Sequence, residues 1–436
     1  MHLRFLFAHG CRLTLALTLF AAAHPGWAQP TAALSLSEAV ALASSRSTDA
    51  ETSRSAVQSA IEMVVAGRQL PDPVLKVGVN NVPANGPDRF SLGTDSMTMR
   101  SISLMQEFTR SAKREARAQR FEAEASSAEA QRTAALATVQ RGAATAWLDR
   151  WYAERANSVL TEQAQSIKLM VDAAQAAYRG NRGSRADIVA AELELRQLQD
   201  REDEARATLA SARVMLRRWV GEAADLPLAE KRPGFEAPAW LNTLDADGVA
   251  QLPDVAAAEA QVGVAEAESR VARENKLPDV SVELMYSQRG PAYSNMVSLN
   301  VSLPLPWDQK QRQDRELAAK LAQADAARAQ AEVVRRGLIS QLRGKQAELA
   351  LSQARLERYR SATVPLAKAQ TEAALTAYRA GAGTLTAVAD ASRKALNISL
   401  ERLKLEAATA RLWADLTFLM PLPTAAQPTS LQGSQP

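Results

Sequence analysis

The chain has 436 residues, of which 23% are charged and only 5% aromatic, with 52 Lys and Arg against 48 Asp and Glu. Its basic residues are interleaved with acids, so no polyanion-binding face is expected, and nucleic acid is excluded as a partner. The only cysteine, Cys11, and the three histidines, His2, His9 and His24, fall within the first 28 residues. Beyond them there is no disulfide, no Cys/His zinc site and no Ser-His or Cys-His nucleophile system.

Residues 1–28 read as a secretory signal peptide. Arg4 and Arg12 precede or open a short apolar stretch from Leu13 to Ala23, and Gly26 and Ala28 supply the small residues of a cleavage site. The stretch is too short to span a bilayer as a helix. Cys11 lies before it rather than after it, which rules out a lipidated mature N-terminus near Gln29. Without Arg4 and Arg12, 52 less two leaves 50 basic residues against 48 acidic. Abundant Ala and scarce aromatics favour long, closely packed helices over a broad globular core.

The rest of the chain echoes itself. Leu70-Pro71-Asp72-Pro73 recurs as Leu277-Pro278-Asp279 at an offset of 207 (277 minus 70), and Ala177-Tyr178-Arg179-Gly180 recurs as Ala377-Tyr378-Arg379 followed by Ala380-Gly381 at an offset of 200 (377 minus 177). A duplicated unit is therefore expected: a first repeat at 29–220, an irregular linker at 221–247 and a second repeat at 248–420, then a polar, disordered tail at 421–436.

In chain order, the pattern predicts a helix over 36–69, with Ser37 as N-cap and Pro71 as stop. A strand follows at 74–82, then a loop of turn formers at 83–88 and a second strand at 99–108. Helices are expected at 111–179 and, after a tight turn, 186–219. The second repeat predicts a helix at 248–274, strands at 280–286 and 297–303, and helices at 310–379 and 384–418. Its strands alternate: Val280, Val282, Leu284 and Tyr286 share one face, with Met285 the only apolar residue on the other. On the strand patterns alone, a sheet half buried against helices is the favoured reading.

The helix lengths shift that balance. At 1.5 Å per residue the two longest would each run roughly 100 Å, too long to pack across a small sheet. Pairs of half-length helices placed end to end match one long helix, so each repeat supplies two staves of a tube. The helices are charged throughout, so if a membrane is crossed, strands cross it. Four strands cannot close a barrel in lipid, whereas three copies supply twelve. The expected fold is thus mainly α with a membrane β-barrel: long antiparallel helical hairpins forming an α-barrel, plus four strands per chain completed as a trimeric 12-stranded barrel.

The duplicated helix-strand-strand-helix unit, the signal peptide and the glycine-containing turns after Ala177-Tyr178-Arg179 and Ala377-Tyr378-Arg379 resemble the TolC family of trimeric outer-membrane efflux channels. Within that family, Asn80-Asn81-Val82-Pro83, Gly86-Pro87-Asp88-Arg89-Phe90-Ser91, Met97-Thr98-Met99-Arg100 and Met105-Gln106-Glu107-Phe108 are similar to the CzcC-like heavy-metal branch. The resemblance implies a passive conduit, not an enzyme and without cofactor or resident metal. It implies a homotrimer set in outer-membrane lipid of a Gram-negative bacterium, with its tube in the periplasm, docked through a periplasmic adaptor to an inner-membrane proton-driven RND pump. Drug efflux or type I secretion within the same family, and a periplasmic coiled-coil adaptor, are the alternatives.

The resemblance also implies site residues. The hairpin tips, with Gly180, Gly183, Gly381 and Gly383 in their turns, converge on a narrow entrance. Asp390 matches the end of the family's acidic motif, while the other family acid falls on Ala387. Asp187, Arg182, Arg185 and Arg379 complete the entrance set. Asp187 and Asp390 either face the cation path or merely favour their helix N-termini. The arginines either pair across hairpins, contact the adaptor or sit in solvated turns. Pro71, Pro73, Pro278, Pro304 and Pro306 mark transitions between barrel and helix, and Phe108, Tyr286 and Trp307 suit an interfacial aromatic girdle. Met97, Met99, Met105 and Met285 suggest soft-metal ligation, with packing as the commoner role of such residues.

Overall fold

A computed structural model describes residues 33–422 apart from 232, 233, 244 and 245. The expected signal peptide, and the expected tail beyond residue 422, lie outside the described residues. The first helix is capped by Ser35, not Ser37: the Ser35 hydroxyl accepts from the Glu38 amide at 3.2 Å and the Glu38 carboxylate accepts from the Ser35 amide at 2.8 Å. That reciprocal pair is a capping box. The stretch over 36–69 also divides, into α1 (Leu36–Arg46) and α2 (Thr48–Arg68), because Ser47 is extended. Ser44 and Ser45 donate back to the carbonyls of Val40 and Leu42, competing with the helix just before it breaks.

Four strands, β1 (Val74–Asn80), β2 (Met99–Phe108), β3 (Val280–Gln288) and β4 (Met296–Ser302), form one antiparallel sheet in sequence order. β1 ends two residues earlier than expected, where Asn81 enters the left-handed region with φ 57°. The register aligns Leu75, Leu104, Leu284 and Leu299 in one row and Val77, Ile102, Tyr286 and Val297 in the next. This apolar face is open: Val77 is 76% exposed and Val297 71%. The sheet is therefore not half buried on helices, the reading that the strand patterns alone favour and the helix lengths set aside; its apolar side is open.

Helix α3 (Ser111–Arg179) runs 69 residues without a break, roughly 100 Å. It is followed by α4 (Arg185–Val220), two short 3-10 turns, α5 (Ala246–Ala250) and α6 (Pro253–Glu274). The expected single helix over 248–274 is split by Pro253, which occupies the first turn of α6. The expected unbroken helix over 310–379 is likewise divided, into α7 (Gln313–Arg358), a π-helical turn at Tyr359–Thr363 and α8 (Val364–Arg379). Pro365 has no N–H to offer the preceding turn and its ring crowds it, which accounts for the wider turn there. Helix α9 (Leu385–Thr417) closes the described fold.

Packing follows the stave arrangement. α3 lies against α2 along one part of its length and α4 along another; α7 packs on α6, α8 on α9, and α3 joins the two halves through α6 and α9. The largest core lies midway along α3, where the C-terminal ends of α4 and α9 and the start of α6 meet it, around Trp147, Leu148, Leu216, Leu252 and Leu416, all almost fully buried. The irregular linker, and the N-terminal Leu34 that bridges to its Leu228, are held there by side-chain donors. Trp147 Nε1 donates to Leu34 O at 3.0 Å, Trp151 Nε1 to Ala229 O at 3.2 Å and Trp413 Nε1 to Glu236 O at 3.0 Å. Buried Arg150 donates to the carbonyls of Ala224 and Leu226 and pairs with Glu154. These bonds satisfy backbone groups that no helix or strand would satisfy. Gly142 belongs to the same belt: a Cβ there would lie 2.4 Å from the Trp219 ring.

Candidate functional site

Two hairpin tips and one strand sheet hold the residues singled out above. At the first tip, the Arg182 amide donates to Ala177 O at 2.8 Å and the Asn181 amide to Tyr178 O at 3.1 Å; at the second, the Ala382 amide donates to Ala377 O and the Gly381 amide to Tyr378 O, both at 3.0 Å. Both are Schellman closures, and they superpose at an offset of 200. The left-handed residues are Asn181 (φ 55°) and Gly381 (φ 72°), so Gly180 is not the conformational pivot of its turn. Gly183 and Gly383 are required by close approach instead: a Cβ would sit 3.1 Å from the Ala177 side chain in one and 3.0 Å from the Tyr378 nitrogen in the other.

The two acids differ in role. Ser184 caps α4, and the Asp187 carboxylate accepts from the Ser184 amide at 2.9 Å and from its hydroxyl. The Ser184 amide first, and its hydroxyl second, hold the Asp187 carboxyl below its ordinary value of 3.8. Thr384 caps α9 without such a partner, because position 387 is Ala. Asp390 lies beyond the first turn of α9, where the helix-terminus field has largely decayed. It pairs with Arg393 and remains 66% exposed.

Arg393 also reaches Glu194 on α4 at 3.0 Å, and Arg201 on α4 donates to Asn397 on α9 at 3.0 Å. These bonds join the two hairpins just behind the tips. Arg182, Arg185 and Arg379 take no part in them. No motif pointed to Glu194, Arg201, Arg393 or Asn397; an offset of 199 between Glu194 and Arg393 is the one signal the sequence held.

At the other end, Asp279 of the recurring Leu-Pro-Asp ties strands to helices. Its carboxylate accepts from Lys113 at 2.6 Å and from the Arg110 amide at 3.1 Å, with both side chains largely buried. Pro278 precedes this clamp and Pro71 contributes its carbonyl to Gln106 at 2.9 Å. Pro73 immediately precedes β1, and Pro304 and Pro306 lie in the extended stretch between β4 and α7. Phe108 lies at the helix end of the apolar face, with fully projecting Trp307 (91% exposed) nearby in sequence terms after β4; Tyr286 lies toward the loop end, its hydroxyl accepting from Asn295 at 2.8 Å.

The opposite face of the sheet is polar. Lys76 pairs with Glu283 across β2 at 3.3 Å, Ser103 donates to the same carboxylate at 2.6 Å, and Asn80 donates to Ser101 at 2.8 Å. Such a sheet, apolar outside, polar inside and with β1 and β4 left as edges, is suited to lipid on one side and water on the other. Among the described residues, no helix is long and apolar enough to cross a membrane.

Residues 249–420 match the family model described as outer membrane efflux protein. No curated protein matches the chain. Among solved structures, the chain is similar to the outer-membrane channel OprN, at 17% identity and TM-score 0.72 over 88% of this chain and 90% of that one. It is similar to the Campylobacter jejuni CmeC outer membrane channel at 13% identity and TM-score 0.75, over 90% and 87% of the two chains. CusC, described in terms of transmembrane channel formation, aligns at 16% identity and TM-score 0.73 over 88% and 92%. The chain therefore has the fold of these outer-membrane channels, long helical hairpins with a four-stranded sheet, and its second half matches the outer membrane efflux family.

Proposed function

We propose that the protein is the outer-membrane conduit of a tripartite efflux system, a passive channel that exports heavy-metal cations. The observation that carries the conduit reading is the exposed apolar face of a sheet whose two outer strands are unpaired within the chain, while the metal cargo rests on the resemblance of the strand-loop motifs alone. An open edge in lipid strands backbone N–H and C=O groups. Three copies, pairing β1 of one with β4 of the next, remove every edge and enclose the polar face as a lumen. The helical hairpins then extend from the barrel as a periplasmic tube, whose tips receive a periplasmic adaptor and, through it, an inner-membrane RND pump. A soluble coiled-coil adaptor has no use for such a face, so the observation disfavours that alternative.

In this arrangement Asp390 is the exposed carboxylate near the tip, and its field raises the local cation concentration. The arginines of the turns are available to an acidic adaptor surface. The metal branch is tested by comparing a deletion strain with its parent for tolerance of zinc, cobalt, cadmium, copper and organic drugs. Lost metal tolerance with normal drug tolerance is expected; the reverse contradicts the metal assignment and favours organic solutes. Asp390→Ala is expected to weaken cation preference severalfold in reconstituted channels, and unchanged selectivity removes Asp390 from the conduction path.

A further inference from the structure

The strand register places methionines where a polar lumen offers them no packing role. On the face opposite the apolar one, β1 to β4 present mainly Ser, Asn and charged residues, among them Lys76, Ser103, Glu107 and Glu283, with Val74 at the start of β1. Interrupting this set are Met99, Met105, Met285 and Met296. None belongs to a buried hydrophobic cluster.

Their arrangement is ordered along the strands. Met105 lies in the row with Val74, Glu283 and Asn300; Met285 in the next, with Lys76, Ser103 and Ser298; Met296 in the next, with Gly78, Ser101 and Ser287; and Met99 in the last, opposite Asn80. Four successive rows thus carry one thioether each, from the second row at the helix end, past Glu107, Ser281 and Ser302, to the loop end. Rows are two residues apart, about 7 Å along a strand, and Met105, Met285 and Met296 are diagonal neighbours on adjacent strands, within reach of long side chains. The Met105 sulfur already accepts from Lys76 at 3.6 Å, so it is oriented among the polar groups of this face.

We infer that these four methionines form a thioether ladder for a soft monovalent cation, Cu(I) or Ag(I), in the barrel lumen. The inference rests on the channel reading above, which makes this face a lumen. Neutral, polarizable sulfur favours d10 monovalent ions over zinc or cobalt, which prefer imidazole, thiolate or carboxylate. Of the two carboxylates on this face, Glu283 is engaged by Lys76 and Ser103, and Glu107 lies in the row at the helix end, outside the four methionine rows. Conduction needs several sites from which an ion both enters and leaves easily, and three diagonally adjacent thioethers with a fourth, Met99, back on β2 at the loop end provide such a series. Beyond residue 28 the chain has neither cysteine nor histidine, so soft-ion binding reports on methionine alone.

The test uses the protein produced from residue 29 onward behind a Cys- and His-free leader, in planar bilayers, in nitrate salts with Ag(I) as probe and Zn(II) as control. Micromolar Ag(I) is expected to reduce unitary conductance reversibly, with no comparable effect of Zn(II). The variant carrying Leu at 99, 105, 285 and 296 keeps side-chain volume and is expected to conduct normally with at least tenfold lower Ag(I) sensitivity. Met285→Leu alone, a milder change, is expected to shift sensitivity in the same direction. A conducting wild type indifferent to Ag(I), or a fourfold variant blocked as well as wild type, overturns the ladder. Equilibrium dialysis of Ag(I) against the detergent-solubilised proteins separates the two readings. An absence of wild-type conductance is a failure of the channel reading, while binding equal in wild type and fourfold variant is a failure of the ladder.

Discussion

At the scale of single residues, two aspartates that look equivalent in sequence do different work. Asp187 closes a capping box with Ser184, whereas Asp390 is an exposed partner of Arg393. Ser184→Ala is expected to destabilise the start of α4 by about 1 kcal/mol, read as faster amide exchange at residues 185–190. Because Asp187's carboxyl is held below its ordinary 3.8 in the folded tip, its contribution is complete above that value and is lost as pH falls through the lower, folded one. The opening equilibrium at the tip, read as the exchange rate divided by the intrinsic chemical rate, should therefore rise as pH falls below 3.8, and Asp187→Asn should remove that rise. One of the two roles read for Asp187, that of favouring its helix N-terminus, is the one the capping box with Ser184 gives it; the box itself was not read. The hairpin bonds of Arg393 and Arg201 were not legible, because they depend on which faces of α4 and α9 meet. Asp279 was legible only as part of a recurring motif; its buried pairing with Lys113 needs the fold. Asp279→Ala leaves Lys113 without its partner and is expected to lose about 2–3 kcal/mol, read as a lower unfolding temperature.

At the scale of elements, the strands were read closely and the helix breaks were missed. Alternation fixes which strand residues share a face, and the register aligns those faces across β1 to β4. What alternation cannot say is whether the apolar side meets helices or lipid. The breaks at Ser47, Pro253 and 359–363 arise from side-chain back-bonding and proline geometry within otherwise helical patterns, which periodicity averages over. The sheet's two faces predict opposite tolerance. Leu104→Arg, on the apolar side, is expected to oppose membrane assembly by about 2–4 kcal/mol, whereas Ser101→Arg, on the polar side, is expected to assemble and alter conductance. Heat-modified gel mobility of outer-membrane fractions checks both, and equal assembly of the two variants contradicts the assignment of faces.

At the scale of the molecule, the proposed trimer answers a shortage of strands. One chain supplies four strands with two bare edges and helices of channel length, and three chains would close a barrel over a helical tube. The duplication legible in the sequence announced two hairpins and two strand pairs; the conserved offset of the tips, with Asn181 against Gly381 and Asp187 against Ala387, shows that the halves share backbone and differ in charge. The most direct test is to purify the protein from outer membranes, determine its mass in detergent and record from it in planar bilayers. The account predicts a trimer that gives discrete, ohmic conductance steps. A water-soluble monomer, or a membrane protein that never conducts, would contradict it.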